Sequence, residues 1–417
     1  MYKKVFYNTT AQVIGKIVTA SSTLLVTLLI GKSLGPSGYG DFTKIFVFVA
    51  YFYTFADFGF NTIYIKLAHT NKKELVNYLL SLRLLISILL VIVSISISQL
   101  LPYNSTSGLG FSPLVKLGIT IASFTIIAQA LFTSLNAFFQ KNLRYDLSTI
   151  SAIASSLTVL AVTALATLTK ATLNLYVAAY VFGNIALVAS SVLIISIYFK
   201  EKISVAFSKE IFVAFLKKTW PIGTALIFNL IYFRVDVLIL SYARSSSEVG
   251  LYGLAYQFFE AALSIPIFFA NALYPLLAKL YLENRKEYSV QVKKWCVILI
   301  SISLLLTVCL MVASYLIPLL FDARFKGSQN ALIILSVGMP FFFLSALLWH
   351  LLIIRNQQKL LILVYLIGGV FNLVINLKFI PIFGINGASV VTVLSEGLIA
   401  LLLALLIKFT KSPQSNT

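Results

Sequence analysis

The sequence predicts an all-α integral membrane protein with about twelve transmembrane helices, six in each half of the chain. Three observations carry that prediction. Of 417 residues, 59% are hydrophobic and 11% charged, whereas a soluble globular protein carries about 25% charged residues. The apolar residues fall in long runs, and about 20 of them in a helix span the ~30 Å hydrocarbon core. The links between runs sort by charge: alternate links on one side hold roughly three times as many Lys and Arg as those on the other.

Taken in order, the runs lie at 10–31, 42–64, 76–100, 114–138, 147–168, 173–198, 219–242, 250–274, 295–320, 330–353, 360–380 and 386–407. They are too long for barrel strands, and only helices satisfy their own backbone in lipid. The first run follows Met1-Tyr-Lys-Lys and continues through Ile30 with no small-residue cleavage site, so an uncleaved span is expected. Lys66, Lys72, Lys73, Lys141, Arg144, Lys200, Lys202, Lys293, Lys294, Arg355, Lys359 and Lys411 are among those on the basic side. That side is expected to be cytoplasmic, with both termini on it. The longest links, 199–218 and 275–294, are cytoplasmic. The first divides an N-terminal lobe, 1–205 with spans one to six, from a C-terminal lobe, 206–417 with spans seven to twelve. Gly38-Tyr39-Gly40 and Gly250-Leu251-Tyr252-Gly253 open the second and eighth spans as a faint internal echo, and repeated halves are common in transporters. The polar tail Ser412–Thr417 is expected to fray.

Several function classes are excluded or disfavoured. The net charge of +19 sits in short links rather than in a basic domain, which argues for anionic lipid and against nucleic acid. Cys296 and Cys309 would lie about 20 Å apart on one helix, too far for a disulfide. His69 and His350 are the only histidines and are far apart in sequence, which argues against a His-based metal site. No metal-ligand cluster, phosphate loop or nucleophile motif appears, so neither metal nor cofactor is expected. Asp41, Glu248 and Asp322 are the acids assigned to the outer surface, scattered over three links, so an outward-facing transferase site is disfavoured.

What remains is charge inside the membrane, where each ionised group costs roughly 2.5–3.5 kcal/mol near the centre and marks a functional hypothesis. The stretch Trp220–Asn271 holds Arg234, Asp236 and Glu260 in two consecutive spans. Arg234 and Asp236 stand about 200° apart around one helix and cannot pair there. Tyr252, Tyr256, Glu260 and Ser264 share a face, suited either to a sugar- or cation-lined cavity or to aromatic packing. In the first span Gln12, Lys16, Thr19, Thr23 and Thr27 share a face that either lines a lumen or bonds backbone, with Lys16 able to snorkel. Lys44 begins the second span, close enough to the interface to be an anchor. Tyr53, Asp57 and Asn61 stack along it, and Asp57 is either a proton or cation site or the partner of Arg83. Glu396, one turn after Thr392, is either a coupling carboxylate or a neutral group in a helix interface.

Four stretches resemble the polysaccharide transporter branch, the Wzx-type flippases, of the multidrug/oligosaccharidyl-lipid/polysaccharide exporter superfamily. They are Leu34-Gly35-Pro36-Ser37-Gly38-Tyr39-Gly40, Arg234-Val-Asp236-Val-Leu-Ile-Leu, Glu248-Val-Gly-Leu-Tyr-Gly-Leu-Ala-Tyr256, and Phe371-Asn-Leu-Val-Ile-Asn376 running on through Pro381 and Gly384 to Gly387-Ala. They occur in order across essentially the whole chain. The resemblance implies two six-helix lobes around a central cavity in a multi-pass protein of the bacterial inner (plasma) membrane. It also implies a substrate, undecaprenyl-diphosphate-linked oligosaccharide for O-antigen, lipopolysaccharide or capsule biosynthesis, flipped to the outer leaflet. On that reading Lys16, Lys44, Arg83 and Arg234 bind the diphosphate with Tyr252 and Tyr256 beside them. Asp57, Asp236, Glu260 and Glu396 are the candidates for proton or sodium coupling. Membrane lipids and other polysaccharide-assembly membrane proteins are the further expected partners. The alternatives are a drug/cation antiporter of the same superfamily and a membrane-embedded polymerase or glycosyltransferase.

Overall fold

In hydrocarbon each backbone N–H and C=O needs a partner inside its own segment, and the observed helices supply it. The computed structural model describes residues 2–61, 64 and 75–409; Lys66, Lys72, Lys73, His69, Lys411 and the tail fall outside the described residues. In chain order the helices are α1 (Tyr2–Asp57), α2 (Leu75–Leu100), α3 (Pro113–Lys141), α4 (Tyr145–Leu168), α5 (Leu173–Ile194), α6 (Lys209–Ala243), α7 (Ser246–Glu283), α8 (Arg285–Ser314), α9 (Ile317–Leu320), α10 (Lys326–Ser336), α11 (Met339–Ile354) and α12 (Gln358–Phe409). A two-stranded hairpin pairs β1 (Tyr103–Asn104) with β2 (Leu109–Gly110) after α2.

Two helices each carry two spans. Helix α1 is 56 residues long and α12 is 52, and about 20 suffice for one crossing. Each breaks at one glycine: Gly35 at φ 65°, ψ −175° and Gly384 at φ 57°, ψ −136°. Those torsions are in or near backbone space that residues with a Cβ essentially avoid, so the motifs around Gly35 and Gly384 are turn chemistry. Pro36 follows the first break and cannot donate backward. Another span is a bent pair, Ala323–Ser336 with Met339–Ile354, meeting at 45°. With α6 these pieces give twelve spans among the described residues, as expected. The fold is thus an all-α membrane architecture, crossed many times by one chain.

The links differ from expectation. Residues 32–41 and 381–385 are helical on both sides of one glycine rather than open loops. The link 275–294 is mostly helix, because α7 runs on to Glu283 and Asn284 caps α8 by accepting from the Glu287 N–H at 3.0 Å. An Asn cap satisfies donors that a helix start would otherwise leave open.

The chain forms two compact units, Met1–Leu230 and Ile231–Thr417. The division lies inside α6, beyond the span-based boundary at 205/206, because Phe215 is buried with Phe60, Tyr64, Leu79, Leu135 and Phe139 in the first unit's core. The extended link before α6 also lies along α2: Ser204 and Asn77 exchange hydrogen bonds at 3.1 and 3.2 Å, and Ala206 N–H donates to Ser81 Oγ at 2.8 Å.

In the second unit, Arg244 closes the break in α12. Its Nε donates to the Ile380 carbonyl at 3.1 Å and its Nη2 to that of Pro381 at 3.0 Å. A cation on the last carbonyls of a helix segment also complements its dipole. A Cβ at position 384 would overlap the Glu248 carboxylate. Gly384→Ala is therefore expected to destabilise the protein by about 2 kcal/mol or more, from torsion and clash together. Gly108→Ala is the control, since its φ is also positive at 67° but its Cβ would meet nothing. Thermal unfolding in detergent checks the pair; equal midpoints would refute the role given to Gly384.

Candidate functional site

Three membrane-embedded charges of the second unit, Arg234, Asp236 and Glu260, gather where α6 meets α7. Arg234 Nη2 donates to Glu260 Oε2 at 2.5 Å, and its guanidinium carbon sits 4.8 Å from the Tyr256 ring centre. The Arg234 side chain is 22% exposed and that of Glu260 53%. Asp236, two residues on, is buried and near enough to Arg234 for the two charges to interact. It accepts from the Tyr252 hydroxyl and, at 2.7 Å, from the Val237 N–H. The same hydroxyl lies 3.4 Å from Thr392 Oγ1, which ties α6, α7 and α12 together.

Helix periodicity on α7 places Tyr252, Tyr256 and Glu260 in line at i+4 steps. Tyr252 therefore meets Asp236 while Tyr256 and Glu260 meet Arg234. Tyr252 and Tyr256 are fully buried side chains whose ring centres are 5.6 Å apart, so aromatic packing accounts for part of this stripe. Arg234 and Glu260 keep the exposed surface. Ser264 turns its hydroxyl to the Ala261 carbonyl.

Glu396, whose carboxylate acts on Tyr256, forms another polar node of the same unit. Glu396 is 3% exposed and accepts from the Ser345 hydroxyl. Beside it, Asn372 Nδ2 donates to Ser395 Oγ at 3.1 Å, and Asn376 Nδ2 to Asn372 Oδ1 at 2.9 Å. This geometry matches a carboxyl group in a helix interface, the second of the two readings left open for it. Ser345, Asn372 and Asn376 were not singled out as site residues from the sequence, although the Asn-x-x-x-Asn spacing would put both amides on one helix face.

In the first unit Arg83 is fully buried and pairs with Asp57, one of the two roles left open for that carboxylate. Its Nη2 donates to Asp57 Oδ1 at 2.6 Å and to the Asp57 carbonyl at 3.1 Å. Its Nη1 donates to Asn61 Oδ1 at 2.7 Å and Ser134 Oγ at 3.1 Å. The guanidinium thus ties the C-terminal end of α1 to α2 and α3. Asp57 keeps 42% of its side chain exposed. Tyr53, on the same face, hydrogen-bonds Thr125 Oγ1 at 2.6 Å.

Lys44 and Lys16 are placed differently. Lys44 has no exposed surface: its Nζ donates to the Gly110 carbonyl at 2.8 Å and lies 3.9 Å from Asp41. It fastens the β1–β2 hairpin to α1, so it is not the interfacial anchor considered from sequence. Lys16 is exposed. The hydroxyls beside it turn to their own helix, Thr19 to the Gly15 carbonyl and Thr23 to that of Thr19, both at 2.9 Å. Cys296 and Cys309 are free thiols. Among the described residues no group of three or more His, Cys, Asp or Glu could hold a metal ion.

The sequence model described as "Polysaccharide biosynthesis protein" matches residues 1–281, and the MatE model matches residues 221–378. No curated protein matches the chain. Among solved structures, the lipid II flippase MurJ in an inward closed conformation superposes with a TM-score of 0.75 at 17% identity, covering 97% of this chain and 87% of that one. An inward-facing multidrug resistance MATE family transporter of the MOP superfamily gives 0.74 at 14%, covering 94% and 96%. A MOP superfamily transporter from Pyrococcus furiosus gives 0.64 at 14%, covering 98% and 97%. These likenesses show the fold, and the first family match spans two thirds of the chain. The chain therefore belongs to the polysaccharide biosynthesis protein family, and its architecture is that of a multi-pass membrane protein.

Proposed function

We propose that the protein flips an undecaprenyl-diphosphate-linked oligosaccharide, a repeat unit for a surface polysaccharide such as O-antigen or capsule, by alternating access across the bacterial inner membrane. The observation that carries this reading is Arg234: a guanidinium at membrane depth, partly exposed, stacked on Tyr256 and paired with the half-exposed Glu260 carboxylate. A diphosphate requires cationic hydrogen-bond donors, and the planar fork of Arg suits phosphate oxygens. The family match to polysaccharide biosynthesis and the fold of a lipid II flippase support a lipid-linked glycan over other anions. Lys44 and Arg83 are left out of this proposal because they have no exposed surface, and Lys16 because the described hydroxyls beside it, Thr19 and Thr23, bond to their own helix.

In this mechanism Glu260 holds Arg234 when the site is empty, and the substrate diphosphate takes over the guanidinium. The Glu260 carboxylate and the diphosphate compete for the same guanidinium, which makes Glu260 the candidate coupling group. Moving one charge through 100 mV supplies about 2.3 kcal/mol. Asp236, with the Tyr252 and Thr392 hydroxyls, offers oxygen ligands suited to a hard cation and is the alternative coupling group. Asp57 and Glu396 are weaker candidates, since each has a partner that explains it.

The test is transfer of a fluorescent undecaprenyl-diphosphate glycan across proteoliposomes by the purified protein. Transfer above protein-free vesicles is expected. Export of a lipophilic cation without glycan transfer would favour the drug/cation antiporter, the second reading, which the MatE match over 221–378 supports. With transfer established, Glu260→Gln is expected to flatten its pH profile while Asp236→Asn leaves that profile in place. An unchanged profile in Glu260→Gln would remove Glu260 from the coupling scheme.

A further inference from the structure

Histidine occurs twice in the chain, and the described one, His350, lies in the last turn or so of α11. Both of its ring nitrogens have partners. Nδ1 lies 2.7 Å from the Ala346 carbonyl, one turn back on the same helix, and Nε2 lies 3.2 Å from Asn271 Oδ1 on α7. The Tyr274 ring of α7 packs edge-on against the imidazole at 5.6 Å. Helices α7 and α11 pack against each other, and His350 bridges them with its own side chain half-buried and Asn271 exposed.

A backbone carbonyl only accepts, so Nδ1 carries a hydrogen in either charge state of the ring. That leaves Nε2 as the atom that gains and loses the proton. Asn271 suits both forms. Its amide oxygen accepts from a protonated Nε2, and a half-turn of the amide presents its NH2 to a bare one. Among the described residues no carboxylate pairs with the imidazole, so no counter-charge locks the proton in place. The contacts of Thr307 with the Ser336 carbonyl and of Tyr288 with Arg355 set α8 against α11. They bring Lys293, Lys294 and Cys296 to this level, and both lysines are exposed. Helix α12 contributes Tyr365, packed on Trp349 at 5.1 Å, and Glu396, which accepts from Ser345. Arg355, on the same side as His350 in sequence, is bound to the Ile407 carbonyl at 2.6 Å and to Tyr288.

Asn271 and Tyr274 follow Glu260 along α7 by about three and four turns, which puts them within about 40° of it around the helix. One face of α7 therefore carries Glu260 and, about 16 Å nearer the basic-side end, the Asn271–His350 contact. That gap is too long for a direct proton transfer. Glu260 and Asn271 both keep exposed surface, so water connects them. We propose that His350 is the group through which protons reach Glu260 from the basic side, an inference that rests on the flippase reading and on Glu260 as its coupling group. Nε2 takes a proton from water on the basic side and releases it to water on the Glu260 side. Nδ1–H stays on the Ala346 carbonyl throughout, and Asn271 turns its amide at each exchange. Ionisable groups inside membrane spans serve as proton relays of this kind.

The first measurement is NMR of the full-length protein in nanodiscs with 15N-labelled histidine, where His69→Gln leaves one ring to observe. The ring is expected to hold protons on both nitrogens at about pH 5 and on Nδ1 alone at about pH 8. A neutral ring protonated at Nε2, or one protonation state throughout, would overturn the inference. The second measurement is glycan transfer in proteoliposomes with and without an imposed pH gradient. His350→Gln should slow the gradient-driven transfer about a hundredfold, the low end of what one positioned proton-transfer group contributes. Transfer without a gradient should stay near wild type. Asn271→Leu, at an exposed position, should cause a smaller loss of the same kind. Equal loss of both kinds of transfer, or loss of neither, would reduce His350 to a packing residue and refute the relay. A wild type that transfers no glycan would end the flippase reading, while the NMR result would stand or fall on its own.

Discussion

Replacing Arg234 by Ala is expected to reduce glycan flipping in proteoliposomes by a factor of about ten to a hundred. That range is one to two charge-assisted hydrogen bonds to phosphate, about 1.5–3 kcal/mol. Arg234→Lys keeps the charge but loses the fork, so it should retain an intermediate rate. The effect should be on transport rather than folding. Glu260, the carboxylate left behind, is 53% exposed and can be hydrated, and partly exposed pairs contribute about 0–1 kcal/mol. The measurement is the initial rate of transfer, with protein recovery and thermal midpoint as controls. Full and equal rates in both variants would remove Arg234 from the mechanism.

Arg83→Ala should do the reverse, damaging stability first. Arg83 is fully buried, and its removal leaves Asn61 Oδ1, Ser134 Oγ and the Asp57 carbonyl without their donor. Removing one member of a buried ion pair costs about 3–5 kcal/mol. The lower end applies here, since Asp57 is 42% exposed and regains water. Asp57→Asn should cost about 1 kcal/mol, because its carbonyl and a neutral acceptor remain for Arg83. Arg83→Lys brings three donors on one atom and cannot reach both sides of the node. Thermal unfolding in detergent checks the order, with Arg83→Ala lowest and Asp57→Asn close to wild type. An Arg83→Ala midpoint equal to wild type would overturn the structural role given to this residue.

The contrast between the two arginines was not readable from sequence. Both are single guanidiniums in apolar runs, and hydropathy treats them alike. What separates them is the number of protein acceptors each finds, and those come from other helices. Lys44 makes the same point: its position near a span end suggests an interfacial anchor, but the β1–β2 hairpin delivers a carbonyl to it and covers it. The Asp57–Arg83 pair was foreseeable as one of two options because consecutive spans are neighbours in most folds.

The sequence by itself determined the class, the number of spans and the places where the chain turns. These depend on local chemistry: about 20 apolar residues cross the bilayer whatever surrounds them, and Gly35 and Gly384 take torsions that the residue type alone permits. Opposite faces for Arg234 and Asp236 also follow from helix geometry. Only the tertiary structure decided what those faces meet. Asp236 is turned to Tyr252 and Thr392 while Arg234 is turned to Tyr256 and Glu260. The rotation of a helix about its own axis is set by packing against its neighbours, to which the local pattern of one span is blind.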